Sequence, residues 1–455
     1  MIGRKKELQM LEEAYCSDSG SLVILTGREG VGKTTLLKEF SKDKQVFVYQ
    51  ACECSEKEQR NLLKQAWSEL YHLEDGTEAS ADAGYLPILS KICKKASGKP
   101  VIILEDFLWI AKNDDSIYKD IVDFLEAEPQ VMVVLTASTV VWREEEAKID
   151  YRAFVGKITS RITVEPFEFL EMVKFFPKLS VGEIVQIYAI LGGIPGYLKY
   201  WNPKKSIEEN IIQLFLQPEA VLMKEPARYL KTTLRELALY NTVLHAMTDG
   251  ATRLNDIYEA TGFSRAKISV YMKNLKQLGV VNKVNTMILK CRDQEVKGMY
   301  EITDPLIHFW YRFVSTNQSL LHQLSPQEVY HKKIKDSLGD YTAPYFSKVC
   351  GQYLELMNRY QKLPLHYEKT GAWFGKDGEI QLLAKDKDGK LLLLHSKWKE
   401  EKFSSGDMEK ILQYLVKSGI EPDYYYLFSK SDFDQDLRKK ADFVRNMVLV
   451  DLNDL

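Results

Sequence analysis

Residues 26–37 read TGREGVGKTTLL. They follow a short apolar run, LVIL at 22–25, and carry the spacing G-x-x-x-x-G-K-[ST] on Gly27, Gly32, Lys33 and Thr34. Glycines at these points let successive backbone N–H groups curl around a phosphate. The lysine reaches the outer phosphate oxygens, and the Thr34 hydroxyl is positioned to ligate Mg²⁺. The helix that must start here adds the partial positive charge of its N-terminus. Gly30 and Thr35 complete the residues expected to cradle a nucleotide, so ATP with Mg²⁺ is the expected ligand. A strand, a tight turn and a helix in this order set up an α/β fold with a parallel sheet.

Working outward, the runs SLVILTG, QVFVYQA, VIILED, VMVVLTAS and RITVEPF alternate with helical stretches over residues 1–166. Each is short, apolar and β-branched, as strands buried on both faces are. Together they predict a P-loop NTPase parallel sheet. Such a site needs an acid at the end of a neighbouring strand to complete the metal shell and to aim water. VIILEDF, 101–107, ends in adjacent acids. This nominates Glu105, with Thr34, for the metal and Asp106 for the water, in the inverse of the usual Asp-Glu order. A shorter Asp106 sits about one methylene further from an attacking water, which is expected to slow hydrolysis more than binding. The catalytic set is completed by Lys33 and by a hydroxyl at the end of the next strand, Ser138, with Thr136 and Thr139 beside it.

Beyond the sheet, residues 167–235 turn helical and read as a helical lid, punctuated by Gly192, Gly193 and Pro195. Residues 236–320 give helix, helix, helix and two β-like runs, the order of a winged helix-turn-helix. In SRAKISVYMKNLKQLG, 264–279, Ile268, Tyr271, Met272, Leu275 and Leu278 share one face. The other presents Val270, Lys273, Asn274 and Gln277, with Arg265, Lys267 and Lys276 at its margins. Amides can read adenine edges and basic side chains can hold phosphates, so DNA is a candidate partner, with a protein partner as the competing one. Residues 335–455 hold three β-like runs among helices and read as a separate C-terminal α/β domain.

The whole chain has 455 residues, 62 Lys and Arg against 64 Asp and Glu, and a formal net charge of −2. That balance argues against a nucleic-acid coat protein or a polybasic membrane binder. Six cysteines at 16, 52, 54, 93, 291 and 350 form no zinc spacing, and no apolar run is long enough to span a bilayer. A cytoplasmic protein with reduced thiols and no membrane partner is expected.

The combination resembles bacterial and archaeal ATPases of the AAA+/STAND type, in which the P-loop domain is followed by a winged helix and a restriction-endonuclease-like domain. The resemblance begins at MIGRKKEL, runs through the P-loop, IILEDF, VEPF and LGGIPGYL, and ends with YEITDPLIHFWYRFV and GEIQLLA…HSKW. It implies that Ile2, Gly3 and Arg4 approach the adenine end and that Gly193 and Pro195 touch nucleotide. Where relatives carry Gly-Arg, this chain has Gly156-Lys157, leaving Arg161 as the nearest substitute for an arginine finger.

Relatives of this type carry Glu-Ile-Asp and Glu-Cys-Lys-Trp on two nuclease strands. Here the stretches read Glu379-Ile380-Gln381 and His395-Ser396-Lys397-Trp398. Two carboxylates that would hold Mg²⁺ are replaced by an amide and an imidazole, poor ligands for a hard cation. Lys397 remains, alternation puts Glu379 on the face of Gln381, and Glu355 could offer a helix-borne acid. The expectation is a nucleotide-dependent switch, a slow ATPase with a catalytically degenerate nuclease-like domain. The competing readings are an active ATP-dependent DNA nuclease, which Glu379 and Lys397 would support, and a DNA-binding regulator with little enzymatic activity.

Overall fold

The structure, a computed structural model, describes residues 1–70, 84–94, 98–147, 152–284, 286–287, 298–374 and 379–455. The chain divides into two units. The first is Met1–Pro166 with Ile194–Gly196, and the second is Phe167–Gly193 with Tyr197–Leu455.

In the first unit the five expected strands form one sheet. They are β1 (Ser21–Gly27), β2 (Val46–Gln50), β3 (Val101–Glu105), β4 (Met132–Ala137) and β5 (Ile158–Val164). Their order is β2-β3-β4-β1-β5, and every pairing is parallel. Alternate residues serve opposite faces. Leu22, Ile24, Ile102 and Leu104 pack on one side with Phe107 and Phe124, while Val23, Leu25, Ile103 and Val134 pack on the other with Leu36 and Phe40. Covering both faces is what makes β1, β3 and β4 continuously apolar. The carboxyl ends of the central strands β3, β4 and β1 therefore lie side by side at one edge, the position from which an open α/β sheet presents ligand-binding loops.

The second unit begins with the helices Phe169–Phe175 and Val181–Leu191. Farther on, the helices Leu237–Thr248, Leu254–Thr261 and Arg265–Gln277 precede an antiparallel pair, β6 (Val281–Val284) and β7 (Met299–Ile302). Part of the β-like stretch expected between 280 and 302 lies outside the described residues.

The C-terminal part is a mixed five-stranded sheet behind the helix Leu338–Arg359. Its strands are β8 (Tyr367–Phe374), β9 (Glu379–Asp386), β10 (Leu391–Lys397), β11 (Tyr424–Ser429) and β12 (Met447–Val450), in the order β12-β11-β10-β9-β8. Three strands were expected here. The two extra ones are the edges, and edge strands carry a weak apolar signal: β8 is largely exposed or half-buried and β12 has four residues. Among the described residues no helix is long and apolar enough to cross a membrane.

Candidate functional site

The loop after β1 turns into the helix Lys33–Phe40 through Gly32, whose φ of 105° is open only to glycine at little cost. Lys33 Nζ donates to the carbonyls of Gly27 (2.8 Å) and Arg28 (3.3 Å), inside the curl of the loop. Burial pulls its ammonium below the ordinary lysine range, against the opposing fields of Asp106, Glu29 and Glu105. Arg4 is buried and donates to the Val31 carbonyl at 3.0 Å, bracing the loop from beneath. Gly3 adopts a positive φ and Ile2 is half-buried at the start of the same segment.

Thr34 Oγ1 donates to Glu105 Oε1 at 2.8 Å, across the gap left by β4 between β1 and β3. A hydroxyl and a carboxylate in contact are hard oxygen donors that fit Mg²⁺. Asp106 points differently. Its backbone is left-handed (φ 51°), its N–H is capped by Thr136 Oγ1 (3.0 Å), and its Oδ2 accepts from Gln50 Nε2 at 2.6 Å. Gln50 ends β2 opposite Glu105. Sequence reading missed it, because a polar residue closing an edge strand is unremarkable until the strand order is known.

Of the three hydroxyls at the end of β4, Thr136 is buried and already bonded to the Asp106 N–H. Ser138 is half-buried at the N-cap of Thr139–Glu146, one residue past the Thr26–Ala137 pair that aligns β4 with the loop strand. Arg161, the nearest arginine to the missing finger, is engaged by Glu146 at 2.7 and 3.0 Å. Lys157 pairs with Glu126.

Residues 194–196 also reach the loop. Gly196 N–H donates to Gly30 O at 2.9 Å, and a Cβ on Gly196 would lie 2.8 Å from Gly30 Cα. Pro195 sits in this segment. Gly193 instead receives the Phe167 N–H on its carbonyl at 2.7 Å.

The C-terminal residues singled out from the sequence fall into two places. A cavity of about 660 Å³ is lined by Glu379, His395, Lys397, Asp407, Phe403 and Tyr414 among others. Glu355 and Gln381 line a different one, of about 630 Å³, and Glu355 pairs there with Arg359. Glu379 and Gln381, read from alternation as neighbours on one face, line these separate cavities beside a β-bulge. The β8–β9 register slips between Gly371 and Trp373, so that Ile380 and Leu383 enter the same core instead of alternating. Gln381 Oε1 accepts from both the N–H (2.8 Å) and the hydroxyl (2.9 Å) of Ser396.

Lys397 Nζ donates to Asp407 Oδ2 at 2.7 Å and to the Lys402 carbonyl. Burial raises the Asp407 carboxyl, but hydrogen bonds from Lys397 and Ser404 outweigh it and bring the pKa to about 2. Burial pulls the His395 imidazole down to about 4, against the field of Asp407, so it is neutral at physiological pH. Among the described residues no group of three or more His, Cys, Asp or Glu is positioned to hold a metal ion. Asp407 was missed as a neighbour of Lys397. Its signal was the Ser404-x-x-Asp407 capping box that opens the helix Ser405–Ser418.

The strand order together with the phosphate loop at the end of β1 defines a P-loop NTPase fold. Residues 1–201 match the family described as an ATPase domain predominantly from Archaea, and residues 310–411 match one described as archaeal and bacterial proteins of unknown function. An uncharacterized protein of Methanocaldococcus jannaschii is 25% identical over 422 residues, 91% of this chain and 91% of that one. An uncharacterized ATP-binding protein of the same organism is 42% identical over 45 residues, 10% of this chain and 76% of that one. Among solved structures, the Walker-type ATPase PABY2304 of Pyrococcus abyssi is similar at 17% identity and a TM-score of 0.49, over 69% of this chain and 96% of that one.

Proposed function

We propose that this chain is a slow, Mg²⁺-dependent ATPase that works as a nucleotide-dependent switch, governing a winged helix and a C-terminal domain that keeps a nuclease-like scaffold without its metal chemistry. The observation that carries the reading is the Gln50–Asp106 hydrogen bond of 2.6 Å. The parts suited to grip nucleotide lie together, while the carboxylate that would take a proton from water is turned toward β2 and already accepts a hydrogen bond.

On this reading Lys33 exchanges its two carbonyl partners for the β- and γ-phosphate oxygens. Bound Mg²⁺ supplies charge neutralisation between those phosphates, and Thr34 and Glu105 are the residues that would hold it. Ser138 lies at the strand end beside the phosphate loop and is the hydroxyl suited to meet the γ-phosphate. Ile2, Gly3 and Arg4 form the adenine side. Hydrolysis waits for Asp106 to leave Gln50 and meet the attacking water.

The test is single-turnover ATP hydrolysis. Asp106→Asn should abolish turnover and keep ATP binding, whereas Gln50→Ala should raise turnover by freeing the base. Native turnover on the order of tens per second, an ordinary enzymatic rate, would sink the switch reading.

In the C-terminal domain the pairing of Lys397 with Asp407, and the separation of Gln381 and Glu355 from His395, support loss of nuclease chemistry. Full-length protein given Mg²⁺ or Mn²⁺ should leave single- and double-stranded DNA intact. Metal-dependent cleavage that disappears in Lys397→Ala would favour an active nuclease instead.

A further inference from the structure

We propose that Cys52 and Cys54 form a reversible dithiol–disulfide site whose oxidation slows ATP hydrolysis, the second half of this statement resting on the ATPase reading above. The two sulfurs lie 3.6 Å apart in the turn that follows β2. Cys52 is exposed, so a small oxidant can reach it, and Cys54 is half-buried behind it as the resolving thiol.

The surroundings are built for this pair. Gln59 is 1% exposed, and its Oε1 accepts from Cys54 Sγ at 2.9 Å and lies 3.9 Å from Cys52 Sγ. Its Nε2 is equally buried and has no hydrogen-bond partner among the described residues. Turning the amide over would present that N–H to sulfur as the thiol proton leaves. The donor that lacks a partner beside the dithiol acquires one beside the thiolate.

The turn is also tied to the hydrolytic machinery. Two residues before Cys52 stands Gln50, which holds Asp106. Between them Ala51 donates its N–H to the Glu105 carbonyl at 2.9 Å. On the far side, Asn113 Nδ2 holds the Cys54 carbonyl at 2.8 Å.

The oxidant is a peroxide. The Cys52 thiolate attacks a peroxide oxygen, the O–O bond breaks to leave a sulfenic acid, and the departing hydroxide takes up the proton the thiol gave up, forming one water. Cys54 sulfur then attacks Cys52 sulfur. The S–S bond forms, the S–O bond breaks, and the departing hydroxide leaves as a second water with the Cys54 proton. Two thiols give up two electrons to one peroxide. Closing the sulfurs to the bonding distance of about 2.05 Å stiffens the turn. Gln50 must swing away for Asp106 to reach water, and a stiffened turn opposes that swing.

The experiment treats the reduced full-length chain with hydrogen peroxide, alkylates it, and weighs the tryptic peptide 45–57, QVFVYQACECSEK. The expected results are loss of two hydrogens and a severalfold fall in ATP turnover, both reversed by dithiothreitol. Cys52→Ser and Cys54→Ser should each keep the reduced native rate and ignore peroxide. Gln50→Ala, whose reduced rate is already raised, should form the disulfide without any fall from that raised rate. Absence of the disulfide, or a disulfide that leaves native turnover unchanged, overturns the proposal. If the reduced native chain hydrolyses no ATP, the ATPase reading fails, and with it the effect on turnover; the peptide mass alone still decides the redox site.

Discussion

At the scale of single residues, the proposed function separates groups that grip from groups that react. Lys33 is the proposed gripping group: its half-buried ammonium donates to the Gly27 and Arg28 carbonyls, which phosphate oxygens can replace. Removing it in Lys33→Ala should cost about 1.5–3 kcal/mol of charge-assisted bonding, roughly a ten- to hundredfold loss of ATP affinity, read by titration calorimetry. An unchanged affinity would mean that the loop binds something else. Lys33, Thr34 and Glu105 were legible in the sequence because each is fixed by its distance from a strand end. Gln50, Gly196 and Asp407 were not, since each meets its partner only after the chain has folded back over 56, 166 and 10 residues respectively.

Among the elements, the helix Arg265–Gln277 carries the clearest correction to a reading by face. Spacing put Asn274 on the outer surface, but it is half-buried and its Nδ2 donates to Tyr240 Oη at 2.7 Å. Arg265, Lys267, Lys273 and Lys276 are exposed. If this helix holds DNA, Lys273→Ala with Arg265→Ala should weaken binding and flatten its salt dependence, because fewer counterions are released. Asn274→Ala should instead cost about 0.5–1.5 kcal/mol of stability, measured by urea unfolding, with DNA affinity little changed. The buried strands β1, β3 and β4 were readable because both faces are covered and each is apolar throughout. The edges β8 and β12 were not, and neither was the bulge in β9. A bulge is set by what packs on either side of a strand, and local alternation carries no trace of that.

On the scale of the whole molecule, acid should act on the second unit through the half-buried imidazole of His308. His308 Nδ1 lies 2.7 Å from Tyr345 Oη, and burial, then Lys348 and Arg312, bring its pKa down to about 4. An unfolded histidine takes up its proton near pH 6.5. Between those values the unfolded chain binds more protons than the folded one, so stability is complete above about pH 6.5 and falls as pH drops toward 4, levelling off below it. The loss is at most about 3 kcal/mol for this group. Urea unfolding across that range should give a slope of this sign, and His308→Phe should flatten it.

The hydrogen bond from Gly196 to Gly30 has a consequence of another kind. Exchange of an amide proton with deuterium requires that its bond open, and here opening parts residues 194–196 from the phosphate loop. A nucleotide seated in the loop should lower the frequency of those openings. The Gly196 amide is therefore an isotopic clock set beside the phosphate loop, and its uptake of deuterium counts how often the two segments part.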